Sequence, residues 1–326
     1  MANKLEEILT CRVCNTSGQH PSWVAHDMMY LRNESFNYFQ CINCNCLQID
    51  ELPIALQDYY PKDYYSFSPL SDRKLSDGKI KKTFRYFYRT LGTSVFLGHK
   101  KLGFPPHYPW LRVANITVTD VILDIGCGNG ALLNRMRKEG FLNTYGIDPY
   151  IDSDIQYKNG LTISKTSITE LERDDFFDFI MMHHSLEHVP DQEEIFSHLY
   201  RLLKPGGIAL LRIPVSSSFA WEYYQENWVQ LDPPRHLYLH SEKSMGLLAA
   251  KANLKVCEVI YDSLPFQFSG SELCKAGVLI PQHTSYIREK KAPLFTEKQH
   301  QEWIKKTRVL NKERRGDMAC FFIKKE

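Results

Sequence analysis

VILDIGCGNGA, residues 121–131, sets a short apolar run against three glycines, Gly126, Gly128 and Gly130. A run of β-branched and aliphatic residues ending in closely spaced glycines reads as a buried strand turning into a helix. Glycine lets backbone approach a ligand closely, and the N-terminus of the following helix faces that ligand with unpaired N–H groups. Read as GxGxxA, with Ala131 in the last place and Asp148 at about the distance expected of a ribose contact, the loop fits a dinucleotide site. Asp124 argues for a different ligand. A carboxylate two residues before the first glycine is awkward beside a pyrophosphate and suited to a sulfonium or ammonium group, so the expected cofactor is cationic.

Outward from this loop the sequence alternates regularly. ALLNRMRKEG reads as an amphipathic helix closed by Gly140, TYGID as a second strand, LTISK as a third and FFDFIMM as a fourth. A helix follows from about Asp191, with Glu194 placed for a capping interaction and Ile195, Phe196, Leu199, Leu202 and Leu203 as its apolar stripe. LKPGG is expected to turn into the strand IALLRIP, and KVCEVIY and MACFFIKK supply two more strands. Strands alternating with helices predict an α/β fold with a doubly wound, mostly parallel sheet.

HHSLEHVPD, residues 183–191, contains HxxEH, the spacing by which one class of zinc peptidases holds a metal with two histidines and activates water with a glutamate. That chemistry needs His184 and His188 on one helical face. Here they follow a strand and precede Pro190, so they belong at the carboxyl end of a strand, where open α/β sheets bind ligands.

The chain has 326 residues, 43% of them hydrophobic and 24% charged, with a net charge of +2. This is the profile of a globular protein without the charge excess of a nucleic-acid binder. No apolar run approaches the roughly 18 residues of a membrane span, and MANKLEEILT lacks a signal-peptide core, so a cytoplasmic location is expected. Nine cysteines there call for metal, reactivity or burial rather than disulfides. Five fall in the first fifty residues, as CRVC (Cys11, Cys14) and CINCNC (Cys41, Cys44, Cys46). Two CxxC pairs flanking strand-like segments predict a small zinc ribbon over residues 1–65, with Cys11, Cys14, Cys41 and Cys44 as a closed structural site and Cys46 as a substitute ligand. A redox pair and buried free thiols are the alternatives. Residues 66–110 read as a basic-aromatic helical linker. The stretch 73–112 is a candidate for peripheral contact with an anionic membrane face, against the plainer reading of a connecting helix with its lysines in water.

LDIGCGNG, YGIDP, FDFIMMHHSLEHV and LKPGGIALLRIP together resemble the ordered motifs of class I S-adenosylmethionine-dependent methyltransferases, over residues 111–326. The resemblance implies a Rossmann-like sheet of seven strands with the last antiparallel, GDMACFFIKK being that strand. It assigns the methionine end of S-adenosylmethionine to Gly126, Gly128 and Gly130, the ribose hydroxyls to Asp148, the adenine to Ser167 and Ile168, and the neighbourhood of the methionine moiety to His184. Ser167 departs from the Asp common in the family. Glu187 and His188 are then expected to pair and cap at the strand-to-helix junction.

WVQLDPPRHLYLHS offers Arg235, His236, Tyr238 and His240 over the crevice, and a histidine suits removal of a hydroxyl proton near neutrality, which makes His236 the candidate general base. PRHL, the CxxC pairs and YYPKDYY resemble a subgroup with an N-terminal zinc ribbon among bacterial sugar and polysaccharide methyltransferases. Some of those methylate carbon and carry a further C-terminal domain absent from this sequence. The expectation is therefore methyl transfer to a hydroxyl of a sugar, nucleotide-sugar or glycan. C-methylation of a keto-sugar and methylation of another small metabolite stand behind it. A zinc-ribbon nucleic-acid binder with a degenerate cofactor fold is the reading of another class, and a nucleotide-binding oxidoreductase a weaker one. Acids at Glu6, Glu7, Asp27, Glu34, Asp50, Glu51, Asp58 and Asp63 argue against phosphate contact by the ribbon, and no nucleic-acid partner is expected.

Overall fold

In the computed structural model, residues 8–30, 34–60, 108–278 and 295–326 are described. The linker expected over 66–110 and the membrane contact expected of 73–112 lie outside these residues, except that Tyr108–Val113 forms a short helix, α1.

Five strands precede it: β1 (Leu9–Thr10), β2 (Ser17–Gly18), β3 (Ser22–His26), β4 (Ser35–Gln40) and β5 (Leu47–Ile49). β1 and β2 form a hairpin, and β3, β4 and β5 an antiparallel meander. The two CxxC segments fold alike. In each, the residue after the second cysteine is an asparagine in the left-handed region, Asn15 at φ 57° and Asn45 at φ 58°, whose N–H returns to the carbonyl of the first cysteine at 2.9 Å. Asparagine tolerates that conformation better than other side-chain-bearing residues, and the tight turn it closes brings both thiols to one side.

The main sheet holds β6 (Ile122–Ile125), β7 (Thr144–Ile147), β8 (Ile155–Gln156), β9 (Thr162–Ser164), β10 (Phe177–His183), β11 (Leu203–Pro214), β13 (Leu254–Tyr261) and β14 (Met318–Lys325) in the order β13-β14-β11-β10-β6-β7-β9-β8. The two-residue β12 (Tyr238–Leu239) belongs elsewhere. β14 runs antiparallel to both its neighbours, and β6, β7, β9, β10 and β11 are parallel. Seven strands were expected and eight are present. The extra one is β8, which doubles back antiparallel on β9 at the sheet edge. LKPGG, expected as a turn, is drawn into β11. A register shift between Phe177 and Phe179 absorbs the irregularity, with Gly206 in the left-handed region at φ 80°.

Side chains alternate across this sheet between two cores. Leu123, Ile180 and Met182 face one with helices α3 (Gln192–Leu202) and α5 (Glu242–Lys251). Ile122, Phe179 and Met181 face the other with α1 and α2 (Ala131–Lys138). This is the period-2 pattern of a sheet covered on both faces. Asp191 caps α3 by accepting from the Glu194 amide at 2.9 Å. Helices α4 (Phe219–Tyr224), α6 (Phe266–Lys275) and α7 (Glu297–Lys312) complete the described chain.

The cysteine-bearing unit is not a pendant. β12 adds to β5, so the order of the small sheet is β12-β5-β4-β3, and Val13, Tyr38 and Leu47 share the core of Leu123 and Phe196. Arg235, 1% exposed, donates to the Asp27 carboxylate at 2.8 and 3.2 Å and to Asp232, while Arg12 donates to the Tyr238 hydroxyl at 3.0 Å.

Candidate functional site

The strand order reverses between β6 and β10, so a crevice opens at their carboxyl ends. Gly126, Gly128 and Gly130 line its β6 side, all in the left-handed region at φ 69°, 54° and 70°. At Gly126 a Cβ would collide with the Ser185 hydroxyl, and the Gly126 amide donates to the Ile147 carbonyl at 2.9 Å. The tight seat against Ser185 was not anticipated, because nothing local in the sequence ties residue 185 to residue 126.

Two carboxylates converge here. Asp148 takes the Gly128 amide on Oδ2 at 2.8 Å and the Tyr150 amide on Oδ1 at 2.9 Å, which leaves each oxygen a free lone pair for a hydroxyl donor. Burial raises its pKa against the pull of those two amides. Asp124 is 3% exposed and its carboxylate has no hydrogen bond or ion pair among the described residues. Burial first, and the neighbouring charge of Asp148 second, push its carboxyl up to about 8. A buried carboxyl in this condition is stabilised as the anion by a cation of matching size. The sulfonium and ammonium groups of S-adenosylmethionine supply that charge and its ribose supplies the hydroxyls, so the donor set fits this cofactor. Ser167 is half-buried, its amide donating to Glu170 at 2.9 Å, and Ile168 is packed into the core.

On the β10 side His184 holds φ 52° and lies between Arg212, whose guanidinium is 2.7 Å from Nε2, and Glu187, 3.5 Å from Nδ1. Arg212 is anchored by Asp262 at 2.7 Å. The HxxEH residues thus do not converge as a peptidase site. Residues 186–188 form a single 3₁₀ turn, and the histidine that joins Glu187 and His188 is His236.

His236 is buried, its Nδ1 donating to the Gln230 carbonyl at 2.7 Å and its ring edge-on to His188 at 4.8 Å between centroids. Burial first, and His188 second, lower its pKa to about 4, so it is neutral at pH 7 with the Nε2 lone pair available. Glu187 is 1% exposed; burial opposes its charge, and His184, His188 and His236 outweigh that and hold it at about 2. Tyr60 reaches His188 Nδ1 at 2.9 Å, a contact the sequence did not signal.

Apart from the crevice, the Sγ atoms of Cys11, Cys14, Cys41 and Cys44 lie within 4.8 Å of one another, with Cys11 to Cys44 at 3.6 Å and Cys14 to Cys41 at 3.5 Å. Sulfurs around a tetrahedral zinc with bonds of about 2.3 Å stand roughly 3.8 Å apart, so the set fits that ion. A hydrogen bond from Cys44 is the main cause that lowers the Cys11 thiol to about 4, and Gln48 donates to the same sulfur at 3.1 Å. Cys46 is outside the group, buried 3.8 Å from His240 Nδ1.

Residues 108–259 match the protein family described as "Methyltransferase domain". A ubiquinone biosynthesis O-methyltransferase of Rickettsia bellii is 34% identical over 97 residues, 28% of this chain and 40% of that protein. Phosphoethanolamine N-methyltransferase 2 of Caenorhabditis elegans is 30% identical over 114 residues, 31% of this chain and 25% of that one. The match therefore spans two-fifths of the length of these curated relatives, or less. Among solved structures, the cyclopropane synthase MmaA2 from Mycobacterium tuberculosis aligns with 63% of this chain and 78% of its own at 16% identity and a TM-score of 0.40, too low to bear on fold or chemistry. Residues 108–259, a little under half of the chain, are thus similar to a methyltransferase domain.

Proposed function

We propose that the chain transfers the methyl group of S-adenosylmethionine to a hydroxyl of a sugar, nucleotide-sugar or glycan, and that the ribbon holds one structural zinc on Cys11, Cys14, Cys41 and Cys44. The observation behind the cofactor half is the bare, buried carboxyl of Asp124 beside the glycine loop, with Asp148 next to it. In this reading Asp148 holds the ribose, Asp124 faces the positive charge, and Gly126, Gly128 and Gly130 let the backbone close on the methionine end. Ser167 and Ile168 flank the adenine, and His184 borders the methyl-transfer side.

Methyl transfer is an in-line displacement. The acceptor oxygen forms a bond to the methyl carbon as the carbon–sulfur bond breaks, and the proton leaves the oxygen. Neutral His236, in the cluster with His188 and Glu187, is the proposed proton acceptor, which favours an oxygen nucleophile. The named relatives methylate on oxygen and on nitrogen, and the sugar acceptor rests on the PRHL and ribbon resemblance alone.

Methyl-labelled S-adenosylmethionine incubated with sugar nucleotides, glycans, amines and quinol-like phenols tests this directly. Label is expected on a sugar oxygen, with His236→Ala keeping cofactor affinity while turnover falls about 10² to 10⁴-fold, the usual range for a positioned base. Label only on amines or phenols refutes the sugar assignment, and unchanged turnover removes His236 from the reaction.

A further inference from the structure

Glu187 is an anomaly among the described residues. Its side chain is 1% exposed and neither carboxylate oxygen has a hydrogen-bond partner, its one ion-pair contact among the described residues being with His184 Nδ1 at 3.5 Å. An ionised carboxylate taken from water and left bare costs several kcal/mol, so such groups are found paired or on a metal.

Two imidazoles face it. A carbonyl can only accept, so the 2.9 Å contact of His188 Nδ1 with the Arg235 carbonyl and the 2.7 Å contact of His236 Nδ1 with the Gln230 carbonyl put the ring proton on Nδ1 in both, and the Tyr60 hydroxyl, 2.9 Å from the same His188 atom, then accepts from it too. Each Nε2 then presents a lone pair. Backbone carbonyls fixing the tautomer in this way are the usual outer support of metal-binding histidines. One donor atom from each of Glu187, His188 and His236 lies within 4.8 Å of the others. On an ion with bonds near 2.1 Å, donors stand roughly 3.3 Å apart, so side-chain rotations moving each donor by about 1 Å complete the geometry. Asp232, 3.9 Å from His236 Nε2, is not a fourth ligand, because both its oxygens are taken by Arg235.

We propose that Glu187, His188 and His236 form a second metal site, distinct from the four cysteines, that takes one divalent transition ion of the zinc, cobalt, iron(II) or manganese class and leaves a coordination position open toward the crevice. Two imidazoles and one carboxylate suit borderline ions rather than calcium or magnesium. The inference does not depend on methyl transfer. Where that reading also holds, an ion on Nε2 of His236 takes over the acidification of the acceptor hydroxyl, and His236→Ala slows turnover either way, so metal binding is the decisive readout.

The purified full chain is dialysed against Co²⁺, the ions per chain are counted, and the visible spectrum is recorded. Cobalt on the cysteines shows thiolate charge transfer; the second equivalent is expected to show ligand-field bands without it, together with paramagnetically shifted imidazole signals from two histidines. Glu187→Gln and His188→Ala should each lose that equivalent and keep the thiolate-bound one, which also reports that they fold. A wild-type protein that binds cobalt only at thiolates, or a second ion without imidazole signals, overturns the proposal, as does a second ion retained in either folded variant. Absence of the thiolate band with the second ion present would refute the zinc ribbon alone, and S-adenosylmethionine affinity, measured separately, tests the cofactor reading.

Discussion

If Asp124 is the counter-charge of the cofactor, binding must ionise it, and the protons can be counted. Free of ligand, its carboxyl sits at about 8 against an ordinary value of 3.8, raised by burial and then by Asp148. At pH 7 such a group is about 90% protonated and at pH 9 about 10%, so binding S-adenosylmethionine should release about 0.9 proton at pH 7 and about 0.1 at pH 9. Ionising it at pH 7 costs about 1.4 kcal/mol, so affinity should rise close to tenfold from pH 7 to pH 9 on this account alone. Calorimetry in buffers of different ionisation enthalpy measures the release, and Asp124→Asn, nearly the same shape, separates it from protons lost by the cofactor's own amine. The same shift has a consequence for stability. A carboxyl whose folded pKa is raised stabilises the fold below its unfolded pKa and loses that contribution as pH rises through the folded one. Cofactor-free protein should therefore lose up to about 1.4 kcal/mol per pH unit between about pH 4 and 8 from this group, a slope that Asp124→Asn removes. Equal proton release by wild type and Asp124→Asn at pH 7 would refute the assignment of Asp124.

Asp148→Ala should weaken S-adenosylmethionine binding by about 1 to 3 kcal/mol, the scale of hydrogen bonds to a charged acceptor, and calorimetry showing unchanged affinity would count against its ribose contact. Freshly purified protein should carry one zinc on the cysteines, and Cys41→Ser should lower the melting temperature far more than it alters cofactor affinity, since a closed site acts through folding. Arg235→Ala strands Asp27, which is fully buried, and should destabilise the fold by about 3 to 5 kcal/mol in denaturant titrations; a loss below about 1 kcal/mol would mean the pair is dispensable.

What the sequence made legible follows from the range of the signals. The β6 strand, its glycine turn, Asp148 at the end of β7 and the Asp191 cap of α3 each declare themselves within a few residues, because strand alternation, left-handed glycines and capping are local physics. The reversed last strand was readable only through the family resemblance. The union of β12 with β5 was not readable at all, since a two-residue strand has no period and its partner lies far away in sequence. The trio of Glu187, His188 and His236 escaped for the same reason. HxxEH suggested His184 as the partner of His188, but the left-handed turn at His184 and the 3₁₀ turn after it send the first histidine to Arg212 and leave the place to a residue from the PRHL loop. Burial of Asp124 without a partner is likewise a tertiary fact, although its place two residues before the glycines hinted at a charge-related role.

The union of β5 with β12 also sets an order of events at the ribosome. The Tyr38 hydroxyl donates to the carbonyl of His236, 198 residues further along the chain. At a synthesis rate of about 5 to 20 residues per second, the cysteine turns emerge roughly 10 to 40 s before the strand that covers the open edge of β5. For that interval the nascent cysteine-bearing segment presents an unpaired strand edge to its surroundings. If the four thiols capture the proposed zinc in the same interval, the nascent segment gains a fixed shape while its neighbour is still being made, and on that proposal a shortage of zinc would do more harm during translation than in the finished protein.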